Sequence, residues 1–259
     1  MTAHLPTDTP SCSESIAKLF AGPMSDWAKL PQILEEQERI LMDSYCPDRS
    51  SAILSVGCGV GRELFCFHEM GYRKLAGIDC TPEFIAQAQG QASTQKIDMR
   101  LEFGTSTQMP FDSESFDLTV LFQNVYALIT PRSARIETLR EIRRCLKPGG
   151  KIILEATSLH SLIRYRLAIQ LMELGRLAYN PCRVERGDKL VKEAGRVENL
   201  PPEKLPRSHW FRPYEIDEEA KEVGLRVVLA STVAGVLRDP FKSSRRLHRQ
   251  GRVVYVLEK

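Results

Sequence analysis

The feature that most constrains the fold of this chain is a short apolar run followed at once by a glycine-rich turn. Residues 53–56 read as a strand that is buried on both faces of a parallel sheet. Gly57, Gly59 and Gly61 follow at every second position, where the backbone can adopt positive φ and a ligand can lie directly against it. The apolar spacing over residues 62–70 predicts a helix immediately afterwards. A strand, a glycine turn and a helix in this order predict a site for a nucleotide-like ligand.

An acidic residue at the end of the next predicted strand makes this prediction more specific. The dinucleotide fingerprint has G-x-G-x-x-G and the P-loop carries a lysine, whereas this turn reads G-x-G-x-G without that lysine. A second predicted strand, residues 74–78, leads to Asp79, which lies 22 residues after Gly57. A carboxylate at the end of that strand can accept hydrogen bonds from the two hydroxyls of a ribose. The alternative is a helix cap, because Thr81 and Pro82 begin a helix directly afterwards.

Four motifs in a fixed order resemble the class I S-adenosylmethionine-dependent methyltransferases, in particular the ubiquinone/menaquinone-biosynthesis-like branch (methyltransferase type 11). They read Leu54-Ser-Val-Gly-Cys-Gly-Val-Gly61, Gly77-Ile-Asp79, Met109-Pro-Phe-Asp112 with Ser115-Phe-Asp-Leu118, and Leu146-Lys-Pro-Gly-Gly150. The resemblance implies an α/β fold with a Rossmann-like doubly wound sheet, mostly parallel with an antiparallel edge strand. It also implies S-adenosylmethionine as the cofactor.

The resemblance carries over to a set of candidate cofactor-binding residues at the turn and at the ends of the following strands. These are Gly57, Cys58, Gly59, Gly61, Asp79, Cys80, Thr105, Ser106, Gln123 and Asn124. Two positions depart from the family pattern. Ser55 stands where an acidic residue is usual near the methionine end of the cofactor, and Gly104-Thr105 stands where Gly-Asp usually contacts the adenine. A hydroxyl of Thr105 or Ser106 can supply the missing acceptor.

The remaining chain divides around this core. Residues 1–49 are expected to form a disordered tail and N-terminal lid helices, and residues 50–157 the cofactor-binding core. The alternation of strands and helices breaks at residues 158–213, which predicts an inserted helical cap containing an apolar helix over 159–177. Residues 214–259 should complete the core with two final strands that form the antiparallel edge.

The charge of the chain is concentrated in its second half. Residues 158–212 hold 11 Lys or Arg against 6 Asp or Glu, and residues 238–259 hold 7 against 2. A basic cap suggests an anionic acceptor or an anionic membrane surface, although a simply solvated face would look the same. Aromatic residues are too sparse there to form a base-stacking platform, so nucleic acid is an unlikely partner. The sequence leaves the oligomeric state open.

Methyl transfer from a sulfonium requires mainly alignment, and a general base is needed only if the acceptor loses a proton. His160 and His209 flank the cap and are the candidate bases, against the alternative that each is a structural or surface histidine. Tyr126, Arg164 and Trp210 are candidate acceptor contacts. Tyr126 is equally consistent with packing under the helix that follows it.

Cysteine usage and the N-terminus indicate the compartment. The seven cysteines include no C-x-x-C pair, which argues against a disulfide framework and against a structural metal site. The first residues are polar, and no apolar run is long enough to cross a bilayer, so a cytoplasmic protein is expected.

The function predicted from these features is methyl transfer from S-adenosylmethionine to a small acceptor, lipophilic or anionic in character. Two alternatives stay open at this point. One is a lipid or quinone methyltransferase that docks on membranes through its cap. The other is a catalytically silent cofactor-binding partner protein, because of the departures at Ser55 and Thr105.

Overall fold

A computed structural model describes residues 12–22, 25–29, 31–159, 185, 187–191, 206–212, 214–244 and 251–259, and helices and strands are numbered over those residues. The N-terminal part contains α1 (Cys12–Ala21), a 3-10 helix (Ser25–Lys29) and α2 (Glu36–Tyr45). The central part contains β1 (Ala52–Val56), α3 (Arg62–Glu69), β2 (Lys74–Asp79), α4 (Pro82–Gln95), β3 (Arg100–Phe103), β4 (Phe116–Leu121), α5 (Val125–Leu128), α6 (Arg132–Cys145) and β5 (Leu146–Thr157). The remainder contains β6 (Asp188–Leu190), β7 (Arg207–His209), α7 (Glu215–Glu222), β8 (Arg226–Thr232), α8 (Val233–Val236) and β9 (Arg252–Glu258).

The main sheet has the strand order β3-β2-β1-β4-β5-β9-β8. The first five strands in this order are parallel, and β9 runs antiparallel to both of its neighbours, β5 and β8. The predicted Rossmann-like, mostly parallel sheet with an antiparallel strand at this end is confirmed. The antiparallel strand lies one position in from the edge, because β8 continues the sheet beyond it.

Apolar layers cover both faces of the sheet, as continuous parallel strands require. Successive residues of β1 point to opposite sides: Ile53 packs with residues of α2 and α3, and Leu54 packs with residues of α6 and α7. Both are fully buried. The apolar stripe of α6 that the sequence predicts, Ile136, Leu139 and Ile142, lies in the second of these layers.

The chain path creates a crevice between β1 and β4. From β1 the chain moves outward through β2 and β3, then returns to pair β4 with the other side of β1. At such a switch point the connections leave in opposite directions and open a crevice outside the carboxyl ends of the strands, where ligands bind in open α/β sheets.

The regular elements lie close to their predicted positions, with small differences at their ends. β5 begins at Leu146, directly after α6, so it is longer than the strand predicted over 151–155. The predicted disordered tail and most of the predicted cap, including nearly all of the apolar helix over 159–177, lie outside the described residues. Among the described helices, none has the length and apolar character that crossing a bilayer demands.

Candidate active site

A cavity of about 610 Å³ lies at the switch point. Part of its lining comes from the glycine turn after β1 and the residues at the ends of β2, β3 and β4: Gly57, Cys58, Gly59, Asp79, Cys80, Gly104, Thr105, Ser106, Thr107, Phe122 and Gln123. Another part comes from the N-terminal segments and from the chain between the end of α5 and the start of α6, and most of these residues are apolar. They include Ile16, Phe20, Ala28, Ile33, Leu128, Ile129, Pro131 and Ala134.

The backbone of the glycine turn is held in a left-handed conformation by the next strand. Gly57 has φ +72°, and its N–H donates to the carbonyl of Ile78 at 2.8 Å. A Cβ at position 57 would stand 2.5 Å from a methyl group of Val125, so glycine is needed for space as well as for conformation. The backbone of Gly57 therefore lines the cavity directly, with no side chain in between.

Asp79 does two things at the end of β2. Its Oδ2 accepts a hydrogen bond from the N–H of Gly59 and its Oδ1 accepts one from the N–H of Thr81, both at 2.8 Å. The first bond fixes the glycine turn and the second caps the start of α4. Burial raises the pKa of Asp79, and the backbone hydrogen bonds oppose this rise. A carboxylate has about four acceptor positions, so capping α4 leaves capacity for ribose hydroxyls.

Three consecutive hydroxyl residues follow β3 and line the cavity. The hydroxyl oxygens of Thr105 and Thr107 lie 3.2 Å apart, and that of Ser106 lies 2.8 Å from the hydroxyl oxygen of Thr138 on α6. Thr107 was not among the residues predicted from the sequence. The run of hydroxyl residues at the end of a strand was the available signal for it.

Comparison with known proteins matches the central part of this chain to a protein family. Residues 53–150 match the family model described as a methyltransferase domain. The cypemycin N-terminal methyltransferase of a Streptomyces species is 30% identical over 118 residues, which are 45% of this chain and 46% of that protein. The demethylmenaquinone methyltransferase of Lactococcus lactis is 26% identical over 167 residues, 61% of this chain and 64% of that protein. The matched segment thus spans less than two thirds of either relative.

A solved structure shares the fold over a longer part of the chain. The crystal structure of a SAM-dependent methyltransferase of Methanosarcina mazei aligns with a TM-score of 0.64 and 20% identity, covering 85% of this chain and 96% of that one. Residues 53–150 of this chain therefore match the methyltransferase-domain family, and the chain shares the fold of that SAM-dependent methyltransferase.

A buried carboxylate that was not predicted from the sequence also lines the cavity. Glu63 lies in the first turn of α3 and is 5% exposed. The hydroxyl of Ser55, on β1, donates a hydrogen bond to the Glu63 carboxylate. Burial raises the pKa of Glu63, and the nearby Arg62 guanidinium opposes that rise. The acidic residue directly after the glycine turn was the signal in the sequence.

Gln123 connects the N-terminal wall of the cavity to the end of β4. Its side-chain amide donates to Glu35 at 2.9 Å and to Glu38 at 3.2 Å. Glu35 also pairs with Arg252 on β9, and this hydrogen bond is the main cause that lowers the pKa of Glu35 to about 2. The Gln123 amide hydrogens are therefore committed to holding the N-terminal segment over the site.

Several site residues predicted from the sequence lie outside the cavity lining. Gly61, with φ +87°, precedes α3. The Asn124 side chain accepts a hydrogen bond from the Thr157 hydroxyl at 3.0 Å. Tyr126 is fully buried; its hydroxyl donates to Glu219 at 2.6 Å, and its ring stacks on Phe211 with centroids 5.4 Å apart. This arrangement favours the packing interpretation of Tyr126.

The candidate base His209 is also buried and lies outside the cavity lining. Its Nδ1 lies 2.7 Å from an Asp188 oxygen, and its Nε2 lies 3.2 Å from a Glu215 oxygen. Burial lowers the pKa of His209, but hydrogen bonding to the two carboxylates outweighs it and the net change is upward. This geometry supports the structural reading of His209.

Trp210, the neighbour of His209, is also not part of the cavity lining. It is half-buried, and its N–H donates to the carbonyl of Gly187 at 3.0 Å. His160 and Arg164 lie outside the described residues. Glu185, Asp188 and His209 bring three potential metal-ligand atoms within 4.8 Å of one another. The Arg135 guanidinium, 3.3 Å from Glu185, already supplies positive charge to this cluster.

Proposed function

We propose that this protein transfers the methyl group of S-adenosylmethionine to a small acceptor with a large apolar surface. The observation that carries the proposal is the composition of the cavity lining. The glycine turn, Asp79 and the hydroxyl residues 105–107 suit a nucleoside with an amino-acid chain, and most of the lining residues from the N-terminal segments and the start of α6 are apolar. Bringing two reactants together in one such cavity is the main requirement of the reaction.

The cofactor would lie along the carboxyl ends of the strands. The Asp79 carboxylate at the end of β2 suits the ribose hydroxyls, and the backbone of Gly57 and Gly59 in the cavity lining suits the methionine portion. Thr105, Ser106 and Thr107 offer hydroxyl groups for the adenine. The cofactor supplies an electrophilic methyl group on its sulfonium, and the chain's residues bind and orient it.

The charges around the cavity favour a neutral, lipophilic acceptor over an anionic one. Among the described lining residues Arg62 is the one cation, and both of its terminal nitrogens donate to Glu38 at 2.8 Å. Glu35, Glu63 and Asp79 line the same cavity as anions. A cavity with this balance repels a negatively charged acceptor and suits the positively charged sulfonium.

The described lining also bears on proton transfer. It contains no histidine, and Glu35 is a weak base because its pKa lies at about 2. Glu63 and Asp79 also line the cavity, and burial raises the pKa of each, so these carboxylates are better proton acceptors than Glu35. A general base is needed only if the acceptor loses a proton, whereas alignment of the acceptor against the methyl group is required in every case.

The test of the proposal combines cofactor binding with transfer of a labelled methyl group. Asp79→Asn keeps the size of the side chain and removes its charge, and it should weaken S-adenosylhomocysteine binding about tenfold or more, because charge-assisted hydrogen bonds are worth about 1.5–3 kcal/mol. Titration calorimetry measures this change. The exposed Asp98→Asn is the matched control and should bind like the wild type.

Donor labelled on its methyl group is then incubated with cell extract, and label is counted in organic-soluble, aqueous small-molecule and macromolecular fractions. Label in the organic fraction that depends on Asp79 supports a lipophilic acceptor. Label in the aqueous fraction would favour a polar one. Cofactor binding without transfer to any fraction would favour a silent cofactor-binding protein, and the absence of binding would overturn the proposal.

A further inference from the structure

Glu63 is a buried carboxylate in the cavity lining, close in sequence to the glycine turn, and a hydrogen bond holds its side chain in place. It lies two residues after Gly61, on the first turn of α3, and it lines the cavity. Ser55, which is fully buried on β1, donates its hydroxyl hydrogen to the Glu63 carboxylate. The serine therefore fixes the orientation of the carboxylate at the place where β1 runs into the turn.

The neighbouring cation is mainly engaged elsewhere. The Arg62 Nε lies 3.7 Å from Glu63, but the two terminal nitrogens of Arg62 both donate to Glu38 at 2.8 Å. One of them also donates to the carbonyl of Ile33 at 2.7 Å. A buried carboxylate whose described partners are one hydroxyl donor and one cation at 3.7 Å would be stabilised further by a bound cation. Glu63 is thus a site that a positively charged ligand group can complete.

We propose that the Glu63 carboxylate, oriented by the Ser55 hydroxyl, binds the α-ammonium group at the methionine end of the cofactor. This inference rests on the proposed function, which lays the methionine portion on the backbone of Gly57 and Gly59. Val60 and Phe122 are apolar members of the same cavity lining, and an apolar lining strengthens the attraction between opposite charges.

The assignment also explains the serine at position 55. The family resemblance led us to expect an acidic residue at that position, and this chain has a hydroxyl there instead. In this protein the negative charge comes from α3, and Ser55 holds it in position. The sequence change at 55 and the acidic residue at 63 are then parts of one arrangement.

The decisive experiment measures two ligands on two proteins. The ligands are S-adenosylhomocysteine and its analogue in which a hydrogen replaces the α-ammonium group. The wild type should prefer the ammonium-bearing ligand by about tenfold or more, since a hydrogen bond between charged groups contributes about that factor. In Glu63→Gln, which is equal in size and can still accept from Ser55, this preference should disappear.

Glu155→Gln is the matched control. Glu155 is also a fully buried carboxylate, but it lies outside the cavity lining, and burial raises its pKa to about 7. This variant should keep the wild-type preference. A preference that persists in Glu63→Gln, or an equal affinity of the wild type for both ligands, would overturn the inference and leave the proposed function intact. Failure of the wild type to bind either ligand would overturn the proposed function itself.

A measurement on the wild type alone keeps the inference testable if the variant does not fold. Burial raises the pKa of Glu63, and Arg62, Glu38, Cys58 and Cys66 are the titratable groups around it. Protonation of Glu63 removes its charge, so the ratio of the two affinities should fall toward one as the pH is lowered. Asp79 titrates in the same cavity, but it faces the nucleoside part that both ligands share. A ratio that stays constant with pH would contradict the assignment.

Discussion

At the scale of single residues, Gly57 shows how one backbone angle shapes the cavity. Its φ of +72° lies where residues with a Cβ are strained, and the added Cβ would also meet Val125, which lines the cavity. The two effects act together, because relieving the contact means moving either the turn or the cavity wall. Conformation and ligand space are therefore coupled at this residue.

Gly57→Ala should lower the free energy of unfolding by about 1–3 kcal/mol, as a residue held in a strained backbone region does, and should also weaken S-adenosylhomocysteine binding. Urea denaturation and calorimetry measure the two effects. Gly90→Ala is the control: Gly90 lies within α4 with nothing within 4 Å of the added Cβ, so alanine there should stabilise by up to about 1 kcal/mol. Equal losses in the two variants would contradict this account of Gly57.

At the scale of secondary-structure elements, buried charged residues connect Glu185, β6 and β7 to α6 and α7. His209 on β7 lies between Asp188 on β6 and Glu215 on α7. Arg135 on α6 donates to Glu219 on α7 at 2.9 Å and pairs with Glu185. Pairs of this kind define how elements meet, since removing one partner leaves a buried charge uncompensated. The candidate base of the sequence analysis thus connects secondary-structure elements.

The pH dependence of this connection has a definite sign. The folded-state pKa of His209 is raised above its ordinary value of 6.5, so the stabilisation is fully present below pH 6.5 and is lost as the pH rises through the folded-state pKa. Of the charges that face the ring, Asp188 and Glu215 favour the imidazolium, and Arg135 opposes it.

His209→Gln should therefore lower the free energy of unfolding by about 1–3 kcal/mol at pH 6 and by less at pH 9. Urea denaturation at the two pH values measures the difference. Wild-type protein supplies the baseline at each pH, which removes the contribution of every other titrating group. A loss that is the same at both values, or larger at pH 9, would show that His209 is neutral in the folded protein.

At the scale of the whole molecule, local signals predicted the lining residues at the ends of the buried strands better than the rest of the cavity lining. Each of Gly57, Asp79 and Thr105 lies within a few residues of the end of a buried strand, and the carboxyl ends of parallel strands meet at one edge. Sheet topology alone brings such residues together. The same reasoning found the fold, because the alternation of strands and helices leaves few arrangements.

Residues whose role depends on distant packing could not be found in this way. Tyr126 follows β4, as a site residue should, but its hydroxyl turns to Glu219, which is 93 positions away in the sequence. Ile16 and Phe20 enter the cavity wall only because α1 packs beside α4, where Phe20 meets Phe84 edge to face. Periodicity identifies an apolar face without naming its partner.

The longest-range connection of this kind joins the two ends of the described chain at the cavity. Glu35 lines the cavity and pairs with Arg252 on β9, 217 positions away, and it also accepts from Gln123. Both partners are about one-third exposed, at 37% and 33%, so solvent screens the pair. Its folding contribution should accordingly be modest, about 1 kcal/mol or less. Its position at the cavity wall makes ligand binding the more sensitive measurement.

The last prediction is a double-mutant cycle with Glu35→Gln, Arg252→Gln and the double variant. Each single variant should speed the release of S-adenosylhomocysteine, because the N-terminal wall loses one of its attachments, and the double variant should be little worse than either one.

Because the hydrogen bond from Arg252 lowers the folded-state pKa of Glu35 to about 2, the connection is fully present above pH 4.5 and is lost as the pH falls toward 2. Stopped-flow release rates at neutral pH and at pH 3 measure both effects. Additive effects of the two substitutions would mean that Glu35 and Arg252 act on the wall independently.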